Sequence, residues 1–186
     1  QGRFYTQFLW SPTAIASTVN SSLSFDIDVS SIDTETSAPY TLAIGNLSAG
    51  SITTATNKVW IDFETNSNNG GYIFVQGTNN GLQSTTASHT ISSASVDLTA
   101  QPSGYGAKSS TVTQSSGGPM QARSPYNGVS ENIGVLDNSK RYIYDTTELP
   151  VVGGRVSFEL KAKASNTTPS ANDYVDILTI LATGSF

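Results

Sequence analysis

RVSFELKAKAS, residues 155–165, alternates apolar and polar side chains without a slip: Val156, Phe158, Leu160, Ala162 and Ala164 against Arg155, Ser157, Glu159, Lys161 and Lys163. Period two over this length predicts a strand with one face in a core and one in water. After a polar link containing Asn166, Pro169 and Asn172, a second strand is predicted over Tyr174–Thr183. There Tyr174, Val175, Ile177, Leu178, Ile180 and Leu181 place apolar groups on both faces, the pattern of a strand buried on both sides. A half-exposed strand leading into a doubly buried last strand predicts a sandwich with its C-terminus inside.

Working back along the chain, the same periodicity recurs. Leu23, Phe25, Ile27 and Val29 alternate with Ser24, Asp26, Asp28 and Ser30, and Tyr40–Ile44 predicts a short strand ending at Gly45-Asn46. Val59, Ile61 and Phe63 oppose Lys58, Trp60, Asp62 and Glu64. The Asn- and Gly-rich run at residues 66–71 tolerates positive φ, so Lys58–Glu64 and Tyr72–Gln76 are expected to form a hairpin. His89–Ala100 predicts another strand. From Gln101 to Lys140 prolines and glycines punctuate the chain, and only Ser110–Gln114 and Asn132–Leu136 offer short strands. Long ordered loops are often functional, so this region is a candidate binding surface. No helical period occurs. The expected fold class is therefore all-β: a β-sandwich of jelly-roll or immunoglobulin-like type with eight to ten strands.

Composition narrows the function classes. The 186 residues suffice for one domain with its own core. Charged residues make up 12%, about half the usual share, with Ser, Thr, Asn and Gly in their place. Nine basic residues are scattered through a chain of net charge −5, so no patch gathers phosphates and nucleic acid is not an expected partner. No apolar run approaches the roughly 18 residues of a membrane helix, so no membrane span is expected in the mature chain. Without cysteine there is no disulfide and no thiolate metal site. Gln1 in place of Met reads as a processed chain of exported origin.

The first ten residues differ from the rest. Phe4, Thr6, Phe8 and Trp10 fall on one side of an extended segment, Arg3, Tyr5, Gln7 and Leu9 on the other, and Ser11-Pro12 interrupts. Residues 1–12 read as a strand extension to a single sandwich domain over 13–186. Two placements follow: a first strand within its own sheet, or a strand donated to a neighbouring copy, with Phe4, Tyr5, Phe8, Leu9 and Trp10 as subunit-interface residues.

Signals for chemistry are sparse. His89 is the sole histidine, with no nucleophile elbow anywhere, so it reads as a surface residue. Asp26 with Asp28, and Asp62 with Glu64, are adjacent carboxylates on faces expected to be solvated. Asn172-Asp173 with Asp176, or Asp137-Asn138, offer oxygens for calcium but lack a calcium-loop motif. No catalytic residue, metal or cofactor is expected, and the chain reads as a non-enzyme. Asn20, Asn46 and Asn166 begin N-x-Ser/Thr sequons, candidate glycosylation sites at strand ends or turns. Trp60 and Tyr126 are the aromatics expected to line a carbohydrate groove, should one exist.

The run from Pro169 through Asn172, Tyr174, Asp176, Leu178 and Thr179 to Phe186 resembles the closing strand of spore-coat-protein-U-like and related pilin-type secreted domains. Tyr40–Gln76, with its Leu-Ser-Ala-Gly turn and the later Asn-Gly-Gly-Tyr, resembles repeats in bacterial surface proteins. The chain departs from many usher-type pilins in having no cysteine pair. The resemblance implies an exported sandwich assembling at the cell surface, in some relatives through a strand lent by the next subunit. The resulting expectation is a secreted structural subunit of an extracellular filament or surface layer, a homopolymer built by N-terminal strand donation. The alternative is a cell-surface carbohydrate-binding or adhesin domain with surface glycans as partners.

Overall fold

The computed structural model describes residues 19–185. The segment carrying Phe4, Tyr5, Phe8, Leu9 and Trp10 lies outside the described residues. Among the described residues every regular element is a strand: β1 (Leu23–Ser30), β2 (Ile52–Thr54), β3 (Lys58–Thr65), β4 (Gly71–Gly77), β5 (Gly81–Ser84), β6 (His89–Ser92), β7 (Val96–Asp97), β8 (Gly104–Thr113), β9 (Ser116–Gly117), β10 (Gln121–Ala122), β11 (Asn132–Ile133), β12 (Arg141–Asp145), β13 (Val151–Lys163) and β14 (Leu178–Gly184). They form a β-sandwich of two antiparallel main sheets.

β13 organises the first sheet. It pairs with β3 and then β2 along one edge, and with β9 and then β8 along the other, while β1 pairs with β3 and ends the sheet. The second sheet runs β10-β12-β4-β14, so β14 ends it. Two small ribbons, β5-β6 and β7-β11, complete the structure. Val59, Ile61 and Phe63 of β3 and Val156, Phe158, Leu160 and Ala162 of β13 fill the core together with Ile73 and Val75 of β4 and Ile143 of β12. The period-two reading of β13 thus holds on its apolar face.

Its polar face departs from expectation. Lys161 and Lys163 are also buried, because the chain around β7 and β11 lies over that end of the strand. Lys161 Nζ meets Glu131 Oε2 at 2.8 Å, and Lys163 Nζ donates to the Leu98 carbonyl at 2.9 Å. Both charges leave water with a partner, the condition for burying them.

Three further expectations are corrected. β3 and β4 do not form a hairpin: the turn after Thr65 carries the chain from one sheet to the other, and β4 pairs with β12 and β14. Both strands alternate strictly, so their apolar faces meet across the core instead of side by side. The closing strand is not buried on both faces. Val175 and Ile177 are exposed, and β14 is a half-buried edge with Leu178, Ile180 and Ala182 directed at the core. Finally, Gln101–Lys140 holds more regular structure than the two short strands expected within it. It supplies the ten-residue β8, which ladders along β13, and the buried side chains Tyr105, Ala107, Met120, Tyr126, Ile133 and Leu136. Glycines obscured this strand, yet Gly106 sits where a Cβ would press on the Gly134 carbonyl and the Ile133 side chain.

Candidate functional site: a cleft between two open strand edges

Among the described residues, β1 and β14 each have a strand neighbour on one side only, and they face each other across one flank of the sandwich. The Asn66 N–H donates to the Ser22 carbonyl, so the even-numbered residues of β1 bond β3 and the amides of Phe25 and Ile27 point away from it. The Val29 N–H, in the same phase, is capped by the Thr36 hydroxyl at 2.9 Å. On β14 the Ser185 N–H donates to the Gly70 carbonyl, which leaves the main-chain groups of Leu178, Ile180 and Ala182 directed outward. Among the described residues, both edges therefore offer unfilled ladders on residues whose side chains point inward.

The space between them is a cleft of about 1090 Å³. Ile27, Val29, Leu178 and Ile180 form its walls, with Leu82, Ile91, Tyr105 and Leu160 deeper in. Residues 40–47 run along its mouth. Leu42, Ile44 and Leu47 pack against the core while Thr41, Ala43 and Gly45 are exposed. This is the alternation expected of a strand, but the segment joins no sheet among the described residues.

Among the described residues, Asp176 is the single charged one lining the cleft. Its Oδ1 accepts from the amides of Thr78 at 3.0 Å, Asn79 at 3.1 Å and Ile177 at 2.9 Å. Its Oδ2 is buried and has no hydrogen-bond partner among the described residues. Burial pushes the Asp176 carboxyl above the usual range, and the three amide bonds oppose that only in part. Gly77 makes room for this group, since a Cβ there would stand 2.6 Å from Oδ2.

The other candidate residues lie elsewhere. Tyr126 is not a groove aromatic: it is 1% exposed and its hydroxyl donates to the Val135 carbonyl at 2.6 Å. Nor is Trp60, 7% exposed, which donates through Nε1 to the Ser30 carbonyl between Lys58 and Arg155. The His89 ring meets Tyr174 edge-on. Asp28 is not solvated, because residues 31–37 cover it: its carboxylate accepts the Thr36 N–H at 2.6 Å and pairs with Arg155. Carboxylate oxygens of Asp26, Asp28 and Asp62 come within 4.8 Å of one another, with Arg155 bridging Asp28 and Asp62.

Of the residues considered for calcium, Asp173 and Asp137 are engaged. Asp173 binds Ser84, Thr85 and Thr86, which hold its carboxyl well below the usual range, and Asp137 pairs with Arg141. Of the three sequon asparagines, all are exposed, but only Asn46 lines the cleft. The cleft itself was missed from sequence, since nothing local marks a strand edge as open.

No family model matches the chain, and neither a curated protein nor a solved structure matches it.

Proposed function

We propose that the protein is a structural subunit of an extracellular filament or surface layer, polymerising when residues 4–10 of one copy enter the cleft of the next. The observation that carries this reading is the cleft: among the described residues, two facing edges have unfilled ladders over an incompletely covered core. An added strand supplies the missing main-chain bonds, while alternate side chains descend into the apolar space. Phe4, Phe8 and Trp10 have the required spacing, and each contributes roughly 2–3 kcal/mol on burial before ordering costs. A head-to-tail contact of this kind does not close on itself and so yields a fibre. The likeness of the closing strand to those of pilin-type secreted domains supports the same reading.

Removing residues 1–10 is expected to give monomers by analytical ultracentrifugation and no fibres by negative-stain microscopy. Polymers of normal length from that variant would dismiss strand donation.

A second reading, binding of surface glycans, is favoured by one observation. Tyr72, Phe74 and Tyr142 form a half-exposed aromatic cluster on the outer face of the second sheet, with ring centroids 5.3–6.4 Å apart. Arg123 stacks over Tyr142 beside a hollow of about 330 Å³ lined by Gln121, Asp145 and Glu148. Competable binding on a glycan array that is lost in Tyr142→Ala would establish it.

A further inference from the structure

Residues 40–47 run along the mouth of the cleft, and from 37 to 47 the backbone makes no hydrogen bond among the described residues. A stretch without ladder or cap is held by its side chains alone and opens at little cost. Here Leu42, Ile44 and Leu47 hold it, lining the cleft alongside Ile27 and Val29 of β1 and Leu178 and Ile180 of β14. Backbone fastenings lie on either side. The Thr36 hydroxyl caps the Val29 N–H at 2.9 Å and the Thr36 N–H donates to Asp28 Oδ1 at 2.6 Å, while the Gly50 N–H donates to the Ala164 carbonyl at 2.8 Å. Residues 40–47 are thus a strap, tied beyond both ends and seated by three apolar side chains.

We propose that this strap is a removable cover that gates the cleft: a strand enters only when Leu42, Ile44 and Leu47 lift out of the apolar space. This rests on the reading above in taking a strand as what enters. Tied at both ends, the strap rises at its middle without leaving the rim.

Its backbone accounts for a cover that does not seal. A regular strand turns every second residue inward. Leu42 and Ile44 obey that period, but Gly45 and Asn46 are both exposed before Leu47 turns in. The extra residue is absorbed at Gly45, whose φ of 93° lies in the left-handed region that favours glycine. Bent there, the strap seats all three side chains but joins neither β1 nor β14 in a ladder. An entering strand without such a bend fills the same apolar space and adds main-chain bonds to an open edge. That difference gives the exchange its direction.

Gly45 also supplies a clean variant. A Cβ there meets no atom within 4 Å, so Gly45→Ala acts through backbone preference and not through a clash. It disfavours the bend, and a straight strap cannot seat Leu47 on the same side as Leu42 and Ile44. Gly45→Ala, and separately Leu42→Ser combined with Ile44→Ser, are expected to raise the emission of Nile red on the dilute full-length chain at least about threefold, and to shorten the half-time of assembly by a similar factor. Ala43→Ser, at an exposed position of the same strap, should change neither. In hydrogen exchange of the dilute wild-type chain, the amides of residues 41–47 are expected to exchange well ahead of those of β3 and β13. Strap amides as protected as those strands, or emission in both variants no higher than in wild type, would overturn the cover. Raised emission with an unchanged half-time would overturn the gating. If the wild-type chain forms no polymer, dye and exchange still decide the cover, and it is the filament reading that falls.

Discussion

Arg155 on β13 reaches across β3 to Asp28 on β1, its Nη2 lying 2.9 Å from Oδ2 of a carboxylate that is fully buried. The same guanidinium contacts Asp33 and, at 2.8 Å, Asp62, and it lies against the Trp60 ring. One side chain thus ties three strands and the loop after β1. Removing a partner from a buried pair leaves a charge without compensation, which costs about 3–5 kcal/mol. Arg155→Ala is expected to lose about that much stability in urea unfolding. Arg155→Met should lose less than Ala, because its apolar stem still covers Trp60.

Asp28 also predicts a pH dependence. Burial alone would raise its carboxyl, but the Thr36 N–H and the Arg155 guanidinium outweigh that and hold it below the ordinary value. A carboxylate with a lowered folded-state pKa contributes stability above its unfolded value, near 3.9, and loses it as pH falls through the folded value. The stability gap between the wild-type chain and Asp28→Asn should therefore be full at pH 6 and shrink steadily below about pH 4. A gap independent of pH in acid titrations would contradict this.

Asp176 gives the opposite sign. Its carboxyl is raised by burial, so the folded state binds its proton more readily than the unfolded chain, and stability falls as pH rises through that range. Asp176→Asn is expected to raise the melting temperature at pH 7, because it removes a buried charge. The gain should vanish toward about pH 3, below the ordinary carboxylate value. A gain that is the same at pH 3 and pH 7 would contradict this.

Much of the architecture was legible in residues 155–165 and in the other alternating runs, because period two reports which face is buried. Partners were not. Lys58–Glu64 and Tyr72–Gln76 alternate equally well as a hairpin or as strands of opposing sheets, and only packing decides between them. Lys161 and Lys163 read as solvent-facing because the groups that receive them, Glu131 and the Leu98 carbonyl, are far away in sequence. Tyr126 looked available for the same reason, since what buries it is spread over β8 and Gly134. The doubly apolar reading of Tyr174–Thr183 went wrong at Val175 and Ile177, which are exposed in the single chain. The aromatic pattern of residues 4–10 was visible, but the cleft is made by two strand edges about 150 residues apart in sequence.

Tyr126 tests its own placement in the core, where a groove position was expected. Its ring packs against Gly134 so closely that a Cβ there would run into it, and its hydroxyl reaches the Val135 carbonyl. Tyr126→Phe keeps the ring and drops one hydrogen bond, an expected loss of about 1 kcal/mol. Gly134→Ala overfills the site and should cost about 1–3 kcal/mol. Both are core changes by this account, so thermal unfolding should shift while any binding to glycans stays as it was. A glycan affinity that falls with Tyr126→Phe at unchanged stability would return Tyr126 to the surface role it was first assigned.

The sequons offer a test that needs no knowledge of whether they are glycosylated. Asn46 and Asn166 are both exposed, but Asn46 lies on the rim of the cleft and Asn166 does not line it. A bulky group at the first position would stand in the path of an entering strand; at the second it would project into solvent. Asn46→Cys and Asn166→Cys can each be labelled uniquely with a polyethylene glycol maleimide, because the chain has no other thiol. Labelled Asn46→Cys is expected to remain monomeric in sedimentation, whereas labelled Asn166→Cys should assemble like the unmodified chain. Equal assembly by both would mean that the strand enters elsewhere. Equal failure would mean that the far end of β13 also forms part of the contact between copies.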